Sequence, residues 1–267
     1  MSGDRRPIGI FDSGVGGLTV LVELRKRLPG ESFIYFGDTG RVPYGIKGKE
    51  TVTRYSIEIV NHLVVSHDVK ALVVACNTAS ALAFSDLKKI YRIPLYDVVT
   101  PAVERALKAT KNGRVGVIGT RSTISSGAYR DALRLRNGKV RVYQQACPLF
   151  VPLVEEGWVE NEVTRMVASE YLSPLVAQRI DTLILGCTHY PFLIPVLKQF
   201  LGPSVQVIDS ASSVAEEVAS SLTSHGMKAK RRRGRVKYLV TDDPERFAEF
   251  ARERVGEVVE EIERVSL

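Results

Sequence analysis

Short runs rich in β-branched residues alternate along this chain with amphipathic stretches of helical spacing, from Ile8–Phe11 through to Val236–Val240. That alternation constrains the fold more than any other feature. A strand reaches a parallel neighbour only by a crossover, usually a helix, so repeated βα units build parallel sheets. The segments that read as strands are Ile8–Phe11, Phe33–Phe36, Ala71–Ala75, Leu95–Val98, Val115–Ile118, Val140–Gln144, Thr182–Leu185, Val205–Ile208 and Val236–Val240. After the first, Leu18, Leu21, Val22, Leu24 and Leu28 follow helical spacing and Pro29-Gly30 ends the run. The clearest other helical segments are 78–90, 101–110, 211–224 and 245–262. The fold class is therefore α/β.

An internal repeat divides the chain. Val69-Lys-Ala-Leu-Val-Val-Ala-Cys76-Asn-Thr78 overlays Ile180-Asp-Thr-Leu-Ile-Leu-Gly-Cys187-Thr-His189 at an offset of 111, and Leu95-Tyr-Asp-Val-Val overlays Val205-Gln-Val-Ile-Asp at 110. Ile8-Gly-Ile-Phe overlays Val115-Gly-Val-Ile at 107. Any two βα units look alike, but ordered matches at nearly one offset point to two similar parallel-sheet lobes with a cleft between them. The expected division is 1–97 plus 209–267 for the first lobe, the C-terminal segment returning to it, and 98–208 for the second. A length of 267 residues suits two domains at about 150 residues each.

With 45% hydrophobic and 25% charged residues, disordered and fibrous classes are excluded. No apolar run approaches the ~20 residues of a membrane span, and Met1–Phe11 is interrupted by Asp4, Arg5, Arg6 and Pro7. The expectation is an untargeted cytoplasmic chain that does not engage a membrane. Three cysteines are too few for a disulfide scaffold and read as reduced thiols. The formal charge of +7 hints at nucleic acid, but Lys228, Lys230, Arg231, Arg232, Arg233 and Arg235 supply six charges, leaving the remainder near balance. Without aromatic interleaving or a recognisable binding module, that run reads as a solvated loop, so nucleic acid is disfavoured as a partner.

Ligands of parallel sheets bind beyond the carboxyl ends of the strands, and the candidate residues cluster there. Asp12-Ser13-Gly14-Val15-Gly16-Gly17 offers backbone N–H groups to an anion, although it matches neither a dinucleotide fingerprint nor a P-loop. Gly37-Asp38-Thr39 and Pro43-Tyr44-Gly45 form a loop rich in special backbone positions. Cys76 and Cys187 each end an apolar strand before a helical segment, where a helix dipole can lower a thiol pKa from about 8.5. Asn77-Thr78 follows one and Thr188-His189 the other. A lone buried cysteine is usually inert packing, which suits Cys147 beside Pro148, but two at equivalent lobe ends are harder to dismiss. Zinc is disfavoured, since Cys187 and His189 supply at most two neighbouring ligands where four are wanted. His189 is placed to orient or protonate near Cys187, whereas His62, His67 and His225 read as surface or capping residues. Glu155 and Glu156 alone resemble a solvated acidic pair.

Two thiols facing one small molecule can invert a carbon centre: a thiolate removes a proton from one face while a thiol returns one to the other. Each sulfur must lie roughly 3 to 3.5 Å from the carbon, holding the sulfurs about 6 to 7 Å apart, too far for a disulfide. A thiol of pKa about 8.5 is only about 7% ionised at pH 7.4, so its surroundings decide the rate. Backbone amides at Gly14 to Gly17 and the side chains of Ser13, Asn77, Thr78 and Thr188 are candidates for holding carboxylates.

Taken together, Asp12-Ser-Gly-Val-Gly-Gly-Leu-Thr, Gly37-Asp-Thr with Pro43-Tyr-Gly, Ala75-Cys-Asn-Thr-Ala, Cys147-Pro-Leu-Phe-Val-Pro-Leu-Val-Glu155 and Gly186-Cys-Thr-His-Tyr-Pro closely resemble the bacterial glutamate racemases. The resemblance implies a cofactor-independent racemase, usually a homodimer of two pseudosymmetric α/β domains, that supplies D-glutamate for peptidoglycan and so bears on cell wall biogenesis and cell shape. It further implies that Cys76 and Cys187 are the acid–base pair, that Asp12 and His189 assist them respectively, and that Glu155 is a further acidic residue of the site. Asp12, Ser13, Pro43, Tyr44, Gly45, Asn77, Thr78, Thr188 and His189 match substrate-binding segments. The basic run 228–235 is not among those motifs. The rival readings are a racemase of aspartate or a related acid, a two-lobed protein that binds a carboxylate without reacting, and a nucleic-acid regulator acting through the basic loop.

Overall fold

The computed structural model describes residues 3–230 and 232–267; Arg231 of the basic run and residues 1 and 2 lie outside them. The chain runs β1 (Ile8–Asp12), α1 (Leu18–Arg27), β2 (Phe33–Gly37), α2 (Lys49–His67), β3 (Ala71–Val74), α3 (Asn77–Leu82), α4 (Phe84–Ile90) and β4 (Leu95–Asp97). It continues through α5 (Val99–Ala109), β5 (Arg114–Gly119), α6 (Arg121–Ser125), α7 (Ala128–Arg136), β6 (Arg141–Ala146), α8 (Phe150–Glu155), α9 (Glu162–Ala177), β7 (Thr182–Gly186), α10 (Ile194–Leu201) and β8 (Gln206–Asp209). It closes with α11 (Ser210–Ser224), β9 (Val236–Val240), α12 (Pro244–Val255) and β10 (Ile262–Arg264).

These strands form two sheets, ordered β10-β9-β2-β1-β3-β4 and β6-β5-β7-β8, with every pairing parallel. Central strands β1, β3 and β7 are buried along their whole length, as near-continuous apolar runs covered on both faces require. Edge strands β6 and β10 are not. One core cluster extends from β1 and α1 through α11 into β7 and α9, and α11 packs against both α1 and α5. The two sheets thereby share one continuous core.

The segment after α11 is anchored to the first sheet by a buried ion pair. Lys70 Nζ lies 2.7 Å from Glu31 and donates to the carbonyls of Asp4 and Met227, while Glu31 accepts from the Ala229 amide. Loss of one partner from such a pair costs about 3 to 5 kcal/mol, because the other charge stays buried and uncompensated. Beyond it the chain passes the exposed Arg232, Arg233 and Arg235 and enters β9 alongside β2.

Three sequence expectations need correction. The segment 78–90 is two helices, broken at Ala83, where φ is −112° and ψ is −19°. The helix expected over 245–262 ends at Val255, since Gly256 adopts the left-handed conformation (φ 68°) and closes the last turn; β10 then forms beside β9. His62 is half-buried rather than superficial, its ring edge-on to Phe36 at 5.9 Å, because it sits on the inner flank of α2. His67 and His225 do stand at helix ends.

Candidate active site

Strand register brings both cysteines to the same level. β3 runs beside β1, and the Ala75 and Cys76 amides both point to the Phe11 carbonyl, which sets Cys76 next to Asp12 and Ser13. In the second sheet Gly186 pairs with Gly119, which sets Cys187 next to Thr120. One cavity of about 340 Å³ lies between these strand ends, near the lower limit for ligand pockets. Its wall includes Ser13, Pro43, Tyr44, Gly45, Cys76, Asn77, Thr78, Glu155, Cys187, Thr188 and His189. Of the catalytic and substrate-binding residues that the family resemblance implies, Asp12 alone is set back from the wall, and of the amides from Gly14 to Gly17 expected to meet an anion only those of Gly14 and its neighbours' segment at Ser13–Gly14 belong to the lining.

Cys76 is the N-cap of α3 and accepts from the Ala79 amide at 3.5 Å; its sulfur also lies 3.5 Å from the Ser13 hydroxyl. The expected lowering of its pKa does not occur. Burial pushes the thiol up to about 12 and Asp12 adds to the rise, outweighing the bonds from Ser13 and Ala79. Cys76 therefore carries its proton at neutral pH. Asp12, fully buried, accepts from the Gly14 amide at 2.9 Å and from the Thr188 hydroxyl at 3.5 Å. Burial raises its pKa, although His189 and the amides of Gly14 and Gly17 oppose the rise. Its influence on Cys76 is through the field, not through a direct bond.

Cys187 has a different neighbour. His189 Nδ1 lies 3.9 Å from its sulfur, and His189 Nε2 lies 3.1 Å from Glu155. Burial works against a charge on the ring, but the hydrogen bonds to Cys187 and Glu155 outweigh it and raise the pKa to about 10. Burial likewise opposes ionisation of Glu155, and the bond from His189 reverses that, holding the carboxyl below its usual range. At neutral pH the sequence Cys187–His189–Glu155 therefore carries an imidazolium between a sulfur and a carboxylate. Glu155→Gln removes the anionic partner, so His189 should titrate at least about one unit lower, a shift readable by NMR of the ring. An unmoved titration would show that Glu155 does not hold the charge. Glu156 is exposed and faces Arg246 at 3.8 Å, so the acidic pair seen in the sequence divides between site and surface.

Across the cavity, Thr78, Thr120 and Thr123 form a triangle of hydroxyls at 2.9 to 3.0 Å. Asn77 donates to Tyr129 and Ser210, while its buried Oδ1 has no partner among the described residues. Below the wall, Asp38 accepts from Tyr44, Arg41 and Thr241, fixing the loop that carries Tyr44 and Gly45. Cys147 is sealed in the core and burial pushes its pKa up, as packing predicts. All three cysteines are unpaired. Thr120 and Arg121 also line the cavity and escaped the sequence reading. The repeat held the signal: at its offset of 107, Thr120 is the counterpart of Ser13.

Residues 19–218 match the model of the Asp/Glu/Hydantoin racemase family. The chain belongs to that family. Glutamate racemase of Geobacter metallireducens is 50% identical over 263 residues, covering 98% of this chain and 97% of the relative. Among solved structures of the family, glutamate racemase isoform RacE1 from Bacillus anthracis matches with a TM-score of 0.96 at 38% identity, covering 99% of this chain and 98% of that one. Glutamate racemase from Francisella tularensis, solved in complex with D-glutamate, matches with a TM-score of 0.92 at 38% identity and 98% coverage of both chains. These likenesses extend over the whole two-sheet architecture expected from the alternating pattern.

Proposed function

We propose that this chain is a glutamate racemase that interconverts L- and D-glutamate without a cofactor, Cys76 and Cys187 exchanging protons with opposite faces of Cα. The observation that carries the reading is a single cavity lined by both thiols, each at the carboxyl end of a central strand of its own sheet. In this account the lobes are 1–97 with 209–267 and 98–208, a division consistent with the strand content of the two sheets.

One sulfur, as thiolate, takes the Cα proton while the other, as thiol, delivers its own from the far side, so each turnover exchanges the protonation states of the pair. The His189 imidazolium balances negative charge at Cys187. The unpartnered Oδ1 of Asn77 accepts from the substrate ammonium, and the hydroxyls of Ser13, Thr78, Thr120 and Thr188 donate to carboxylate oxygens on which carbanion charge accumulates. Holding the reactants in place supplies about 7 to 11 kcal/mol of the barrier reduction, and proton transfer by positioned groups a further 10² to 10⁴ in rate.

By this reading the enzyme supplies D-glutamate for peptidoglycan, and hence for cell wall biogenesis and cell shape, as a cytoplasmic homodimer. Among the described residues no helix is long and apolar enough to cross a membrane. Purified protein given L-glutamate with no added cofactor should lose the circular dichroism signal of the substrate, while L-aspartate turns over at least about 100-fold more slowly. Faster turnover of aspartate would make the chain an aspartate racemase. Carboxylate binding without turnover would make it a binding protein.

A further inference from the structure

Charge on the cavity wall is not fully paired. Apart from the thiols and Tyr44, the ionisable side chains that line it are Arg121, Glu155 and His189. Glu155 and His189 satisfy each other. Arg121 is exposed, and among the described residues no carboxylate is paired with its guanidinium. Its backbone is nonetheless fixed on both sides. Thr120 shares a hydrogen bond with Thr78 at 3.0 Å and its side chain abuts Gly45, while the Ser122 hydroxyl donates to the Lys47 carbonyl at 2.9 Å. Both bonds cross between the second sheet's α6 corner and the first lobe. Arg121 therefore stands at the cleft with an anchored main chain and an uncommitted cation, beside the Tyr44–Ile46 turn against which α6 packs.

A dicarboxylic amino acid brings two carboxylates and one ammonium, a net charge of −1. The α-carboxylate and ammonium have neutral partners in the hydroxyls and Asn77, and His189 is occupied by Glu155. No lining cation other than Arg121 is left for the second carboxylate. We propose that Arg121 is the charge partner of the substrate's side-chain carboxylate, drawing the anion into the cleft and favouring substrates that carry this group. The inference rests on the racemase reading above and deepens it by naming a specificity-determining residue.

Arg121→Gln should raise KM for glutamate about five- to ten-fold, as expected for loss of one partly solvated charge contact, with kcat changed less than about two-fold. It should also flatten the fall of kcat/KM with added salt, because that fall reports attraction between substrate and an exposed charge. Arg121→Lys should recover most of both effects. A glutamine variant with wild-type KM and wild-type salt dependence overturns the proposal, and so does a fall confined to kcat. Calorimetric titration of L-glutamate into the wild-type protein and the glutamine variant measures the contact without reference to turnover. Unequal Kd values support the proposal even if the wild-type chain proves inactive as a racemase, and equal values overturn it.

Discussion

Replacing either Cys76 or Cys187 by serine is expected to lower racemisation of glutamate by at least about 10³-fold. A serine hydroxyl is a far weaker acid than a thiol, so the variant loses most of the 10² to 10⁴ that a positioned proton-transfer group contributes, in both directions of the reaction. The sulfurs cannot substitute for each other, because each serves one face of the carbon. Structural damage should be small: both residues are at cavity walls, 5% and 6% exposed, and serine is a smaller side chain that finds hydroxyl partners there. Melting curves close to wild type would separate lost chemistry from lost fold. Near wild-type rates in both variants would show that the thiols are not the proton carriers.

A nearly comparable loss is expected from Gly16→Ala, at a position with no chemistry of its own. A Cβ on Gly16 would lie 2.3 Å from the Thr188 hydroxyl and 2.5 Å from His189 Nδ1, so something must move. The groups displaced are His189, which stands beside Cys187 in its own lobe, and Thr188, which donates to Asp12 across the seam between the lobes. A displacement of about 1 Å in such a site costs roughly 10²-fold in rate. The fall should appear in kcat, with secondary structure retained. Gly48→Ala is the matched control, since among the described residues nothing lies within 4 Å of a Cβ there. Wild-type kcat for Gly16→Ala would mean that the two lobes stand further apart in the working enzyme than the close packing here requires.

The contrast between these residues explains what was readable in advance. Strand–helix alternation announces itself locally, so the central strands and the level of Cys76 and Cys187 followed from the chain alone. The repeat then placed the cysteines at equivalent positions, since βα units of similar length carry their loops to similar heights. Gly16 gave no such signal: its constraint comes from Thr188 and His189, which reach it from the other sheet. The His189–Glu155 bond was hidden for the same reason, its partners standing on different elements, and Glu155 was identified through the family motif. The pKa of Cys76 went the other way because a six-residue helix offers less to a thiolate than burial beside Asp12 removes. At the C-terminus, charges on both sides of Ile262 obscured a short edge strand that forms only because β9 offers it a partner.

The most direct test of proton transfer from two faces is the fate of the Cα hydrogen in heavy water. L-Glutamate is mixed with the enzyme in D₂O, quenched at low conversion, and both enantiomers are analysed by mass. Two thiols on opposite sides predict D-glutamate that carries deuterium at Cα from the first turnovers, while recovered L-glutamate keeps its protium. D-Glutamate that retains the original hydrogen, or L-glutamate that exchanges as fast as product forms, would place a single base over the carbon and contradict the account.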